Sequence, residues 1–207
     1  MSVLDLASQG PISVAYLVLG YIIYRIYRLA RRKAKVTPEM AAERAAKEER
    51  WLNSPTDALV AERRMRQLYE AGERDEAIRL GRDVRAQESF RTSDRGVKLR
   101  KRAMRREGRK SVPSDYELHQ RDEYLYEVLF LLAEMSVEIA VERKDGDLAE
   151  NACKIAVEAR KSAKFGHHTW DTVPEEVREF VRPFYERQDK VCWARDRVLK
   201  ELGRGKD

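Results

Sequence analysis

The sequence predicts an all-α chain: one N-terminal transmembrane helix followed by a bundle of helical hairpins. Three observations point there. An apolar run near the N-terminus is followed, and not preceded, by a cluster of positive charge. Helix-start signals, Ser/Thr before Pro and S/T-x-x-E, punctuate the rest. No stretch alternates apolar and polar residues over strand length, and 10 Gly and 6 Pro are few for a β-rich or low-complexity chain of 207 residues. Hydrophobic residues make up 43%, enough for a core beside 38% charged residues. Two cysteines cannot build a disulfide framework, so a small stapled secreted domain is excluded.

Residues 1–10 read as a short translocated tail and residues 11–33 as the membrane helix with its basic flank. Pro11–Tyr24 is apolar apart from Ser13 and the tyrosine hydroxyls, and Ile26, Tyr27, Leu29 and Ala30 extend it. About 20 helical residues span roughly 30 Å of hydrocarbon. Arg25, Arg28, Arg31 and Arg32 follow the run, where long side chains reach lipid headgroups. A cleaved signal peptide carries its charge before the apolar stretch, so this pattern reads as an uncleaved signal anchor with residues 31–207 on the charge-retaining side. Tyr16, Gly20 and Tyr24 recur at helical spacing, and Gly20 leaves a notch suited to a neighbouring membrane helix.

Residues 34–113 read as a charged helical hairpin region and residues 114–207 as a helical bundle. Thr37-Pro38 opens a helix reaching about Trp51, and Ser54-Pro55 opens another ending near Gly72. Ser114–Glu117 and Thr172–Glu175 fit the capping box, Asp145-Gly146-Asp147 is a turn, and Gly166 ends a helical run. One helix is expected from Asp115 to about Arg143. In it Leu118, Leu125, Leu132 and Ile139 recur every seven residues, and Tyr126, Phe130, Ala133, Val137 and Ala140 form a second apolar face. A helix apolar on two faces belongs at the centre of a bundle. Leu148, Ala152, Ile155, Ala156, Ala159 and Ala163 give the next helix a face of mostly small residues. The last is amphipathic through Val177, Phe180, Val181, Phe184, Val191, Val198 and Leu202, with a kink expected at Pro183.

The centre of residues 58–89, Leu68-Tyr69-Glu-Ala-Gly72 followed by Ala77-Ile78, resembles the inter-helix turn of tetratricopeptide repeats. Arg64 and Gly81 stand where that family usually has large apolar residues, and no proline closes the unit. The resemblance implies a helix-pair scaffold for protein contacts.

Net charge is +6, but residues 25–35 alone carry +6 and residues 91–110 carry +8, leaving an acidic remainder. Two basic patches on an acidic body point to two local anionic contacts. The second patch supplies Lys98, Arg100, Lys101, Arg102, Arg105, Arg106 and Arg109 as candidate partner-binding residues. An acidic neighbour subunit is the favoured partner and anionic lipid the next. Nucleic acid is disfavoured, since no aromatic lies between Phe90 and Tyr116. The segment could also lie along the chain's own stripe of Glu123, Glu127, Glu134 and Glu138.

No catalytic residue, cofactor site or metal site is expected. His119, His167 and His168 lack ligand spacing, and no phosphate-loop, dinucleotide or nucleophile-elbow motif occurs. Cys153 and Cys192 fall on two different helices and are expected to be free and buried, with an inter-helix disulfide as the other possibility. The expectation is a non-catalytic accessory subunit of a multisubunit membrane complex, with no small-molecule substrate. In style the charged, Arg-rich helices resemble lineage-specific subunits of mitochondrial inner-membrane complexes (respiratory or ATP synthase), which places residues 31–207 on the matrix side. The alternative is a membrane-anchored adaptor, similar in architecture to signal-anchored import receptors, with an open apolar groove for a peptide.

Overall fold

The computed structural model describes Tyr21 and residues 37–53, 56–109, 111–120, 122–163 and 168–204. The expected membrane span lies outside these residues except for Tyr21, which is helical and exposed. Tyr16, Gly20, Tyr24, Arg25, Arg28, Arg31 and Arg32 therefore lie outside them too, as do Ser54, Pro55, Gly166 and His167. Among the described residues no helix is long and apolar enough to cross a membrane. The chain divides into two compact units, Met1–Glu49 and Arg50–Asp207.

Eight α-helices and one 3-10 turn, with no strand, make up the described secondary structure. They are α1 (Pro38–Asn53), α2 (Ala58–Glu70), α3 (Arg74–Arg91), α4 (Asp94–Arg106), α5 (Asp115–His119), α6 (Leu125–Arg143), α7 (Gly146–Ser162) and α8 (Glu175–Glu201). Thr37 caps α1 through the Met40 N–H at 3.2 Å, as its Thr-Pro signal predicts. The start of α2 differs from expectation. Asp57 is its N-cap, accepting from the Leu59 and Val60 N–H groups at 2.9 and 3.0 Å. A carboxylate satisfies two orphan donors there, which the earlier Ser-Pro signal cannot do from three residues away.

The expected single helix from Asp115 to Arg143 is in fact two. The Ser114–Glu117 capping box forms, but α5 lasts only five residues and Gln120 is extended. The break has a tertiary cause: the Asp122 N–H donates to the buried Glu88 carboxylate at 2.9 Å, and Asp122 caps Tyr124 at the same distance. At the other expected box, Thr172 belongs to the 3-10 turn Trp170–Thr172, where it bonds Thr169, and α8 starts behind Pro174. Proline's fixed φ suits a helix start and its missing N–H costs nothing there. The helix α8 then runs through Pro183 to Glu201.

In the unit Arg50–Asp207, α6 is the centre. Twelve of its 19 residues are buried, on every side of the helix. Leu125, Leu132 and Ile139 are all buried, as their seven-residue spacing along α6 predicts, and Leu118 is buried on the separate helix α5. Helices α2, α3, α7 and α8 surround it. Tyr69 of α2 meets Glu138, and Arg74 at the start of α3 meets Glu142 at 2.7 Å. Gly81 on α3 sits where no larger residue fits: a Cβ there would lie 2.7 Å from Met65 Cε and 3.2 Å from Leu132 Cδ1. Those side chains already fill the space. The α2–α3 turn places Gly72 at φ +83, a left-handed backbone that glycine adopts without cost.

The α6–α7 turn is closed by Asp145, which caps Leu148 at 2.9 Å. Ala149, Ala152, Ala156 and Ala159 are fully buried, so α7 packs closely within the bundle. Cys153 of α7 and Cys192 of α8 form a disulfide, with Cα atoms 5.0 Å apart. This corrects the expectation of free thiols. Sequence placed each cysteine on its helix, but only packing brings the two faces together.

Candidate functional site

Helix α4 is rich in good helix formers, Arg, Lys, Leu and Ala, and Ser93 caps it through the Gly96 N–H at 3.1 Å. Gly96 also permits a close approach, because a Cβ there would fall 2.0 Å from the Phe90 carbonyl oxygen. Arg105 and Arg106 in the last turn complement the helix dipole. Gly108, at φ +74, then turns the chain so that the Arg109 N–H reaches the Met104 carbonyl at 3.1 Å.

The structure divides the seven predicted basic residues into separate groups. Arg100 and Lys101 face inward and clasp α5. Arg100 Nη1 donates to the Leu118 carbonyl at 3.2 Å, and Lys101 Nζ pairs with Asp115 at 2.6 Å. Burial, then the neighbouring Arg91, pull the Arg100 guanidinium below its ordinary pKa. The Lys101 bond and charge hold Asp115 below the usual carboxylate range. His119 completes the clasp through the Asp115 carbonyl at 2.6 Å and Asp94 at 3.3 Å, bonds that raise its pKa. Lys98, Arg102, Arg105 and Arg106 lie on the exposed face. Lys98, Arg102 and Arg105 are spaced i, i+4, i+7, so they form one row. Arg102, Arg105 and Arg106 make no hydrogen bond or ion pair with a described residue. Arg109, beyond the helix, pairs with Glu107 at 3.1 Å.

The acidic stripe of α6 does not receive the basic run. Arg187 of α8 takes Glu127 at 2.7 Å and Glu134 at 2.7 and 3.1 Å, and stacks 4.4 Å above Phe130. Burial alone would lower the Arg187 pKa, but the bonds to Glu134 and Glu127 outweigh it and raise the value. Glu138 accepts from the Tyr69 hydroxyl, whose pKa is pushed up to about 12, first by burial and then by that bond. Glu127, Glu134 and Glu138 of the stripe are internal fastenings for α2 and α8, and Glu142 beside them fastens α3. Among the described residues, Arg102, Arg105 and Arg106 of the α4 row keep their charge unpaired.

A second surface lies outside the residues that charge and motif single out. A groove of about 370 Å³ runs between α6 and α8, floored by Val137, Val141, Val191 and Ala194 and walled by Glu138 and Lys190 among others. Beside it stands Trp193, 73% exposed. The signal was legible: Lys190-x-x-Trp193-x-x-x-Arg197 puts a tryptophan out of phase with the buried Val191 and Val198. No protein family, curated protein or solved structure compared with this chain matches it.

Proposed function

We propose that this chain is a non-catalytic accessory subunit of a multisubunit membrane complex, docking on an acidic neighbouring subunit through the exposed face of α4. The observation that carries the reading is the row Lys98–Arg102–Arg105 with Arg106, whose arginines make no hydrogen bond or ion pair with a described residue while the acids of α6 are satisfied by Arg187, Tyr69 and Arg74. Such a face gains little by itself and favours an anionic partner. The N-terminal span anchors the subunit, and its basic flank meets the headgroups. We place the chain in a mitochondrial inner membrane, and the α7–α8 disulfide, a bond rare in reducing compartments, favours the oxidising side for residues 31–207 over the matrix side. The adaptor reading has one observation of its own, the open groove between α6 and α8.

The test is gentle detergent extraction, native sizing and mass identification of co-migrating chains. The triple variant Arg102→Gln, Arg105→Gln, Arg106→Gln should leave the complex while staying in the membrane pellet after carbonate extraction. Unchanged complex composition and yield would overturn the proposal. Arg100 and Lys101 are spared, because changing them would loosen α5 and confuse folding with docking.

A further inference from the structure

We infer that the α6–α8 groove docks an amphipathic helix of a partner protein whose apolar ridge is edged by carboxylates. This goes beyond the docking role of α4 and does not rest on it.

The groove's volume of about 370 Å³ and its floor of Val137, Val141, Val191 and Ala194 call for inserted apolar side chains. Recognition of this kind uses anchors at i, i+3, i+4 and i+7. The two walls differ in what they leave unsatisfied. On the α6 side Glu134 is held by Arg187, Glu138 by Tyr69 and Glu142 by Arg74. On the α8 side Lys190 and Arg197 are exposed and make no ion pair with a described residue. They flank Trp193 by one turn on either side, about 10 Å from end to end. Lys190 and Arg197, unpaired among the described residues and lining the groove where the exposed Asp189 and Asp196 do not, define the complement: carboxylates over these two cations, with an apolar side chain against Trp193 between them. Tryptophan and arginine in this setting are the residues that dominate docking energetics when covered.

The same geometry disfavours other occupants. An anionic bilayer would meet the carboxylate wall of Glu134, Glu138 and Glu142, which repels headgroups. Single-stranded nucleic acid would meet that wall too, with a single indole to stack on. A helix avoids both problems, because its acidic edge turns toward α8 alone.

The test uses the full chain in mild detergent and a fluorescent synthetic peptide of about five helical turns. The peptide carries a leucine ridge and one glutamate edge; its control has lysine in place of each glutamate. The glutamate peptide should bind and the lysine peptide should not. Trp193→Ala, and separately Lys190→Glu with Arg197→Glu, should each weaken binding by about tenfold or more. Thermal midpoints near wild type should show that these surface variants fold. Binding by the Arg102→Gln, Arg105→Gln, Arg106→Gln protein should equal wild type. If that variant loses the peptide, the peptide sits on α4, and this inference fails while the α4 docking role stands. If the groove binds but the native complex ignores the α4 variant, only the earlier proposal fails. Equal binding of both peptides, or binding indifferent to Trp193, would overturn the inference. So would sedimentation with phosphatidylserine vesicles, or a concentration-dependent dimer, that Trp193→Ala abolishes, since the surface would then belong to lipid or to a second copy.

Discussion

Arg187 of α8 grips Glu134 of α6 in a two-point ion pair, at 2.7 and 3.1 Å, with one face of its guanidinium on the Phe130 ring. A third bond at 2.7 Å reaches Glu127, so one cation fastens two turns of the central helix to its neighbour. Replacing Arg187 with Ala leaves two partly buried carboxylates facing each other without a counter-charge. We predict a loss of about 2–3 kcal/mol in urea unfolding, below the range for a fully buried pair because solvent screens part of it. An unchanged midpoint would show that the cluster contributes nothing to stability.

Leu132 is fully buried and faces the notch at Gly81, where α3 comes close to α6. Leu132→Ala should cost about 2–5 kcal/mol, the usual range for a buried leucine truncation. Gly81→Leu should destabilise for the opposite reason, since Met65 and Leu132 already occupy the volume. Urea midpoints of both variants test the two packing statements separately.

The Cys153–Cys192 bond closes a loop with a sequence separation of 39. In the chain-entropy model that loop contributes up to about 4 kcal/mol, so reduction should lower the unfolding midpoint clearly. The bond also reports topology. Maleimide alkylation of intact cells before lysis should leave both cysteines unmodified until a reductant is added. Full labelling without reductant would place the domain in a reducing compartment.

The clasp between α4 and α5 should loosen at both ends of the pH scale. Lys101 keeps Asp115 protonated only below its ordinary range near 3.8, and Ser114 does the same for Glu117 below 4.5. Both folded pKa values are depressed, so their stabilisation is present above those values and is lost as pH falls through the folded ones. His119 is raised above 6.5, so its contribution is present below that value and is lost as pH rises through the folded one. Protection of the Tyr116–His119 amides, taken as exchange relative to the unfolded chain at the same pH, should be greatest between these limits. A flat profile would refute the linkage.

Tyr69 gives an alkaline counterpart. With its phenol pushed up to about 12 from 10.0, the Tyr69–Glu138 contact should persist through pH 10 and weaken as pH rises from 10 toward 12. Ultraviolet titration of Tyr69→Phe against wild type should remove one late-ionising phenol. If the missing phenol titrates near 10, the hydrogen bond to Glu138 does not hold the proton.

The sequence by itself determined the helical class and the central helix. Seven-residue leucine spacing and apolar residues on all faces of 125–143 leave only a buried position, since water would be excluded from every side. Local capping was legible at Thr37 and Ser114, but not at Asp57, which caps α2 in place of Ser54, nor at Thr172, which closes a 3-10 turn instead of capping α8. Other features depended on groups far apart in the chain. The break at Gln120 exists because Glu88, from α3, takes the Asp122 N–H. Arg100 and Lys101 read like their neighbours in a basic run, yet α5 turns them inward and leaves Arg102, Arg105 and Arg106 outside. Glu134 looks like any solvated acid until Arg187, 53 residues later, arrives beside it. Charge and spacing say which residues are available. Which charge meets which is set by packing, because a cation stabilises only the carboxylate that the folded helices bring within reach.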